Sequence, residues 1–110
     1  MPRAILIGEE SLLLQCAQAW KSRGFELALI VSPLATARQW AATEGVRCLH
    51  TVDAIAGAVE GPVDFLLSIT NLQILPPALL ALPQRAAINF HDGPLPEYGG
   101  LNTPVWSLVN

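Results

Sequence analysis

This sequence predicts an α/β fold, a mostly parallel sheet with helices on both faces. Three observations lead there. Five short apolar runs alternate with segments that carry helix start and stop signals. The runs are mostly apolar rather than alternating with polar residues, which is the pattern of strands covered on both sides. Apolar residues make up 52 % of the chain and charged residues 14 %, an apolar excess over an average soluble domain. That excess fits strands buried on both faces, or a surface that packs against something else.

The elements follow in order. Ala4-Ile5-Leu6-Ile7-Gly8 is an apolar run ending in glycine, read as a buried strand. Glu9 and Glu10 stand at the expected start of a helix, where carboxylates suit the positive end of its dipole. That helix is expected over 11–23, with Lys21 and Arg23 in its last turn and Gly24 as its stop. Phe25 to Val31 is the second strand. Ser32-Pro33 reads as a cap followed by proline at the first helical position. The helix it opens runs to Glu44 and closes at Gly45. Val46 to Leu49 is a short third strand, and Thr51 to Val59 a weak helix interrupted by Gly57. Val63 to Ile69 is the fourth strand. Pro76 and Pro77 start a short helix through Leu82, and Ala86 to Phe90 is the fifth strand. Thr103-Pro104 repeats the cap-plus-proline signal and opens a helix over 105–109. With the last residue at Asn110, the expectation is a single domain over 1–110, truncated after the fifth strand.

Composition narrows the function. A net charge of −3 gives no electrostatic reason to expect nucleic acid or an anionic membrane as partner. No apolar run approaches the ~18 residues of a membrane span. Met1-Pro2-Arg3 leads straight into a strand and lacks the layout of a signal peptide. Cys16 and Cys48 match no metal-ligand spacing, so no metal is expected, and they read as reduced thiols of a cytoplasmic protein.

The chemistry is concentrated in "NFHDGPLPEYGG", Asn89 to Gly100. Residues two apart in a strand point to the same side, so Asn89 and His91 are expected to project together, with Phe90 turned away into the core. They stand at the carboxyl end of a strand, where open α/β sheets bind ligands. An asparagine amide can donate to a developing oxyanion, and a histidine can take and return a proton near neutral pH. Such a pair suits attack of a nucleophile on a small carbonyl. A capping asparagine beside a half-exposed histidine at a turn is the plainer alternative. Asp92, followed by Gly93-Pro94, reads as a turn residue.

"INFHDGPLPEYGG", from Ile88, resembles the Asn-x-His…Leu-Pro…Gly signature of folate-dependent formyltransferases of the methionyl-tRNA formyltransferase-like kind. "NLQILPPALLALP", Asn71 to Pro83, resembles the segment that precedes the signature there. "HDGPLP" with the later Gly-Leu-Asn and Trp106 looks most like such domains fused to nonribosomal peptide synthetase-type proteins. The resemblance implies a Rossmann-like layout, of which this chain is expected to supply about the first half to two-thirds of the catalytic domain. It implies 10-formyltetrahydrofolate as formyl donor, with no metal. It also implies an amine as acceptor, in a small molecule or a carrier-bound aminoacyl group. Asn89 would polarise the formyl group and His91 would shuttle the proton. The backbone of Leu72, Gln73, Ile74 and Leu75 would border the pterin; from the residues themselves, the side chains of Leu72 and Leu75 are expected to face the core.

The departures matter as well. Gly93-Pro94-Leu95-Pro96 stands where the family usually has Ser-Leu-Leu-Pro, so a hydroxyl and a backbone donor are missing. The first loop, Gly8-Glu9-Glu10-Ser11, carries two carboxylates that would repel a substrate phosphate. There is no GxGxxG for a dinucleotide. Neither Asp64 nor Asp92 matches the family's downstream catalytic aspartate, so little turnover is expected from these residues alone. A non-catalytic structural or docking module of a larger protein remains the rival reading, and a folate-binding hydrolase shares the same residues. Apolar side chains around 95–110, Tyr98 and Trp106 among them, lead to the expectation of a homodimer or of packing on neighbouring domains of a parent protein.

Overall fold

In the computed structural model, which describes residues 2–69 and 75–90, the chain runs through β1 (Arg3–Gly8), α1 (Leu12–Ser22), β2 (Glu26–Val31), α2 (Ala35–Glu44) and β3 (Cys48–Leu49). A 3-10 turn (Val52–Ala54) leads into α3 (Ile55–Ala58), then β4 (Phe65–Ile69), α4 (Pro77–Leu80) and β5 (Ala86–Phe90). The strands pair in parallel in the order β3-β2-β1-β4-β5. This is the parallel α/β sheet that the apolar runs predict.

Each face of the sheet has its own core. On the first face, Ile5, Ile7, Leu29, Val31, Leu66 and Ala87 pack with Ile55, Leu75 and Leu79. On the second, Ala4, Leu6, Leu27, Ile30 and Ile69 pack against Leu13 and Ala17 of α1 and Ala37 and Ala41 of α2. Largely apolar strands are what such double coverage requires.

One feature of β2 is invisible in the apolar pattern. The β1–β2 register runs Ala4 to Leu27, then Ile5 to Leu29, so Ala28 is an extra residue in a bulge. Without it, strict alternation would put Leu27 and Leu29 on the same face. The bulge sends Leu27 to the second core and both Ala28 and Leu29 to the first.

Several local expectations are corrected. Helix α1 begins at Leu12, and no acidic residue lies in its first turn. Glu9 and Glu10 precede it, and Glu10 contributes only its carbonyl, accepting from the Leu13 amide at 3.0 Å. Ser32 is not the cap of α2, and Pro33 is not its first residue. The Ser32 hydroxyl accepts from the Leu34 amide at 3.1 Å, closing a local turn. Leu34, extended at φ −72°, ψ 132°, is the capping position. Val46 does not extend β3, because its amide is bonded to Ala41 O at 2.8 Å in the turn that closes α2. Gly45 permits that turn, at φ 72°. Thr51 to Val59 is two short pieces rather than one helix. Phe90 is not in the core but 44 % exposed. It pairs with Ile69 in register, on the second face. Among the described residues, the main helix contacts with the sheet are those of α1 with β1 and β2 and of α2 with β3. The predicted helix over 105–109, and the association surface with Tyr98 and Trp106, lie outside the described residues.

The amino edge of the sheet is tied by Arg3. Its Nε donates to Glu26 at 2.9 Å, and one terminal nitrogen donates to the carbonyls of Glu60 and Pro62 at 3.0 and 2.7 Å. Its backbone amide donates to the Asp64 carboxylate at 2.9 Å. Nearby, Trp20 donates to Glu26 O at 2.8 Å and meets Phe25 and Phe65 edge-on. Arg3→Ala is expected to cost about 1–2 kcal/mol, mostly from two carbonyls losing a charged donor. The exposed ion pair contributes little of that, so the loss in urea melts should persist at high salt. A loss that vanishes in salt would assign it to Glu26 instead.

Candidate functional site

The strand order defines where a ligand crevice can form. From β1 the chain steps outward to β2 and β3, then crosses back to place β4 and β5 on the other side of β1. The reversal leaves a crevice at the carboxyl ends of β1 and β4, where ligands bind in open α/β sheets. Gly8 closes β1 there. A Cβ at Gly8 would lie 2.7 Å from the Ile69 carbonyl oxygen and 3.1 Å from Leu13 Cβ. Only glycine lets β1, β4 and α1 converge this closely.

One rung of the sheet crosses all five strands at this edge. Leu49 pairs with Val31, Val31 with Ile7, Ile7 with Ser68, and Ser68 with Asn89. Ile7, Val31 and Leu49 belong to the first core. Ser68 and Asn89 follow Leu66 and Ala87 by two residues, so they share that face. The rung is aliphatic on one side of the crevice and polar on the other.

Asn89 is half-buried at the penultimate position of β5. Leu75 is buried at 5 % exposure in the core on the same face, so its main chain is what it has left to offer a ligand. His91, Leu72, Gln73 and Ile74 lie outside the described residues, as do Asp92 and the loop that follows it. Asp64 stands just before β4, at the opposite edge, and its carboxylate is engaged by the Arg3 amide.

Ser68 is the residue that inspection of the sequence overlooks. It is 1 % exposed, and its Oγ has no hydrogen-bond partner among the described residues. Its signal is faint: a single hydroxyl in the run Phe65-Leu66-Leu67-Ser68-Ile69. Lining up the carboxyl ends of the fourth and fifth strands is what places it beside Asn89.

Other groups are less suited to chemistry. Cys16 and Cys48 are free thiols. Burial raises the pKa of Cys16. It also raises that of Cys48, although Arg38 pulls the other way. Thiols shifted upward are poor nucleophiles at neutral pH. Among the described residues no group of three or more His, Cys, Asp or Glu side chains is placed to hold a metal. No described helix is long and apolar enough to cross a membrane. A cavity of about 210 Å³ lies between the 3-10 turn and α4, lined by Val52, Asp53, Ile55, Pro76, Leu79 and Leu82, and neither Ser68 nor Asn89 borders it.

No protein-family model matches the chain. A stretch of 47 residues, 43 % of the chain, is 38 % identical to methionyl-tRNA formyltransferase of Clostridium novyi, over 15 % of that protein. The same length is 38 % identical to the enzyme of that name from Alkaliphilus oremlandii, over 15 % of its length. It is 43 % identical to that from a Cyanothece species, over 14 % of its length. The matched part is thus a small share of these curated relatives. Among solved structures, formyltetrahydrofolate deformylase from Burkholderia mallei superposes with a TM-score of 0.58 at 19 % identity, covering 82 % of this chain and 38 % of that one. The chain therefore has a formyltransferase-like α/β fold.

Proposed function

We propose that this chain forms the folate-facing part of a formyltransferase-type domain, whose reaction moves a formyl group from 10-formyltetrahydrofolate to an amine. The observation that carries the reading is the position of Asn89. It is a carboxamide at the carboxyl end of β5, on a covered face, beside a buried hydroxyl. The 47-residue likeness to methionyl-tRNA formyltransferases supports it. The donor set fits a neutral carbonyl ligand. Asn89 offers an amide donor and Ser68 a hydroxyl without a partner among the described residues, and the chemistry asks for no metal.

The folate would supply the formyl group. Asn89 donates its amide N–H to the formyl oxygen, where negative charge gathers as the amine attacks. His91 takes the proton that the amine loses and returns it to the folate nitrogen as the formyl C–N bond breaks and tetrahydrofolate leaves. The main chain of Leu72, Gln73, Ile74 and Leu75 borders the pterin. The acceptor class is an amine-bearing small molecule or a carrier-bound aminoacyl group, the latter if the domain serves a nonribosomal peptide synthetase-type protein. A second reading, a non-catalytic docking module, draws on Gly93-Pro94, which replaces a hydroxyl and a backbone donor.

Binding separates the two. The stable analogue 5-formyltetrahydrofolate is expected to bind in calorimetry. At tenfold its Kd it should stabilise the chain by about 1.4 kcal/mol. Asn89→Ala should weaken that binding. No heat and no thermal shift at millimolar ligand would leave the docking module as the function.

A further inference from the structure

We infer that Ser68 is a positioning residue for Asn89: on ligand binding its hydroxyl donates to Asn89 Oδ1 and so turns the amide N–H2 towards the carbonyl of the ligand. The inference rests on the folate reading above and adds a residue to it.

A buried hydroxyl without a partner destabilises a fold, because it has left water and gained nothing in return. Ser68 is 1 % exposed and its Oγ is unpartnered among the described residues. Alanine would fill the position at lower cost to the fold, so the hydroxyl calls for another use. Its in-register neighbour on the same face is Asn89, and adjacent strands lie about 4.8 Å apart. The other neighbour across the sheet is Ile7, which has no polar side-chain atoms.

The chemistry explains why such a neighbour matters. A carboxamide presents either its oxygen or its N–H2 to a ligand, and the torsion between the two is broad and nearly two-fold. Only the N–H2 orientation stabilises a carbonyl oxygen that is gaining charge. A hydroxyl placed on the strand side, donating to Oδ1, selects that orientation. Serine can do this because rotation about its Cβ–Oγ bond redirects the proton without moving the backbone.

The experiment uses the 110-residue chain and 5-formyltetrahydrofolate as probe. Ser68→Ala is expected to melt at the same temperature as the parent or higher, and to bind roughly 3- to 10-fold more weakly. Ser68→Cys, a weaker donor of similar shape, should fall between. In a double-mutant cycle the binding loss should shrink to nothing when Asn89 is already alanine, because Ser68 acts through it. A Ser68→Ala variant with a lowered melting temperature and unchanged affinity would overturn the inference. So would a binding loss that persists in full without Asn89. Absence of any binding by the parent chain would instead bring down the folate reading, and this inference with it. Binding by the parent with an additive cycle would bring down the role of Ser68 alone.

Discussion

Leu66→Ala is expected to destabilise the protein by about 2–5 kcal/mol. Leu66 has no solvent exposure and sits in β4, between β1 and β5. It packs on the first face with Ile5, Leu79 and Ala87. Removing its branched end deletes buried contacts and leaves a cavity that strands paired on both sides cannot collapse into. Domains of this size are stable by only about 5–15 kcal/mol, so the loss is a large share of the total. The thermal midpoint should fall by on the order of 10–20 °C. Leu67 is the internal control. It is one residue along, half-buried on the second face, and its truncation should cost less. Urea or thermal melts in which Leu67→Ala costs as much as Leu66→Ala would contradict the two-core account.

Gly8→Ala is expected to impair both stability and ligand binding. The added methyl would stand 2.7 Å from the Ile69 carbonyl oxygen and 3.1 Å from Leu13 Cβ. Neither is the end of a flexible side chain, so β4 or α1 must move. Overpacking of this kind costs about 1–3 kcal/mol. The displacement also falls at the crevice between β1 and β4. Affinity for 5-formyltetrahydrofolate should therefore drop by more than the lost stability alone would bring about. Trimming Leu13 to alanine in the same chain should not restore stability, because the closer clash is with backbone. Full recovery in the double variant would show that the Leu13 side chain, rather than the strand, resists the methyl.

The likeness to formyltransferases and the Asn89 position have different standing in the sequence. The fold was legible because apolar strands, glycine stops and alternating helices each act locally and agree with one another. Ala4 to Gly8 and Ala86 to Phe90 appear as strands within a residue of where they were expected. Asn89 was legible because a polar side chain at the end of an apolar run is conspicuous. Ser68 was not, because serine is small and common, and its burial depends on strands far away in sequence.

Phe90 shows the same division from the other side. Alternation correctly directs it to the face opposite Asn89, but whether that face is covered is not a property of β5. It depends on where α1 and α2 lie, and their main contacts are with β1, β2 and β3. The bulge at Ala28 is likewise a compromise between β2 and β1, since pairing register is negotiated between strands.

From its residues alone, then, this protein has a parallel α/β sheet with apolar strands buried on both faces, and an asparagine placed at a strand's carboxyl end. Those features follow from backbone periodicity and side-chain hydrophobicity, which act over a few neighbouring residues. Which strands lie side by side is a matter of tertiary structure. So is the rung that brings Ser68 next to Asn89, and so is the closeness of Gly8 to Ile69. Each depends on packing between segments that are 18 to 61 residues apart, and no local preference encodes a distance of that kind.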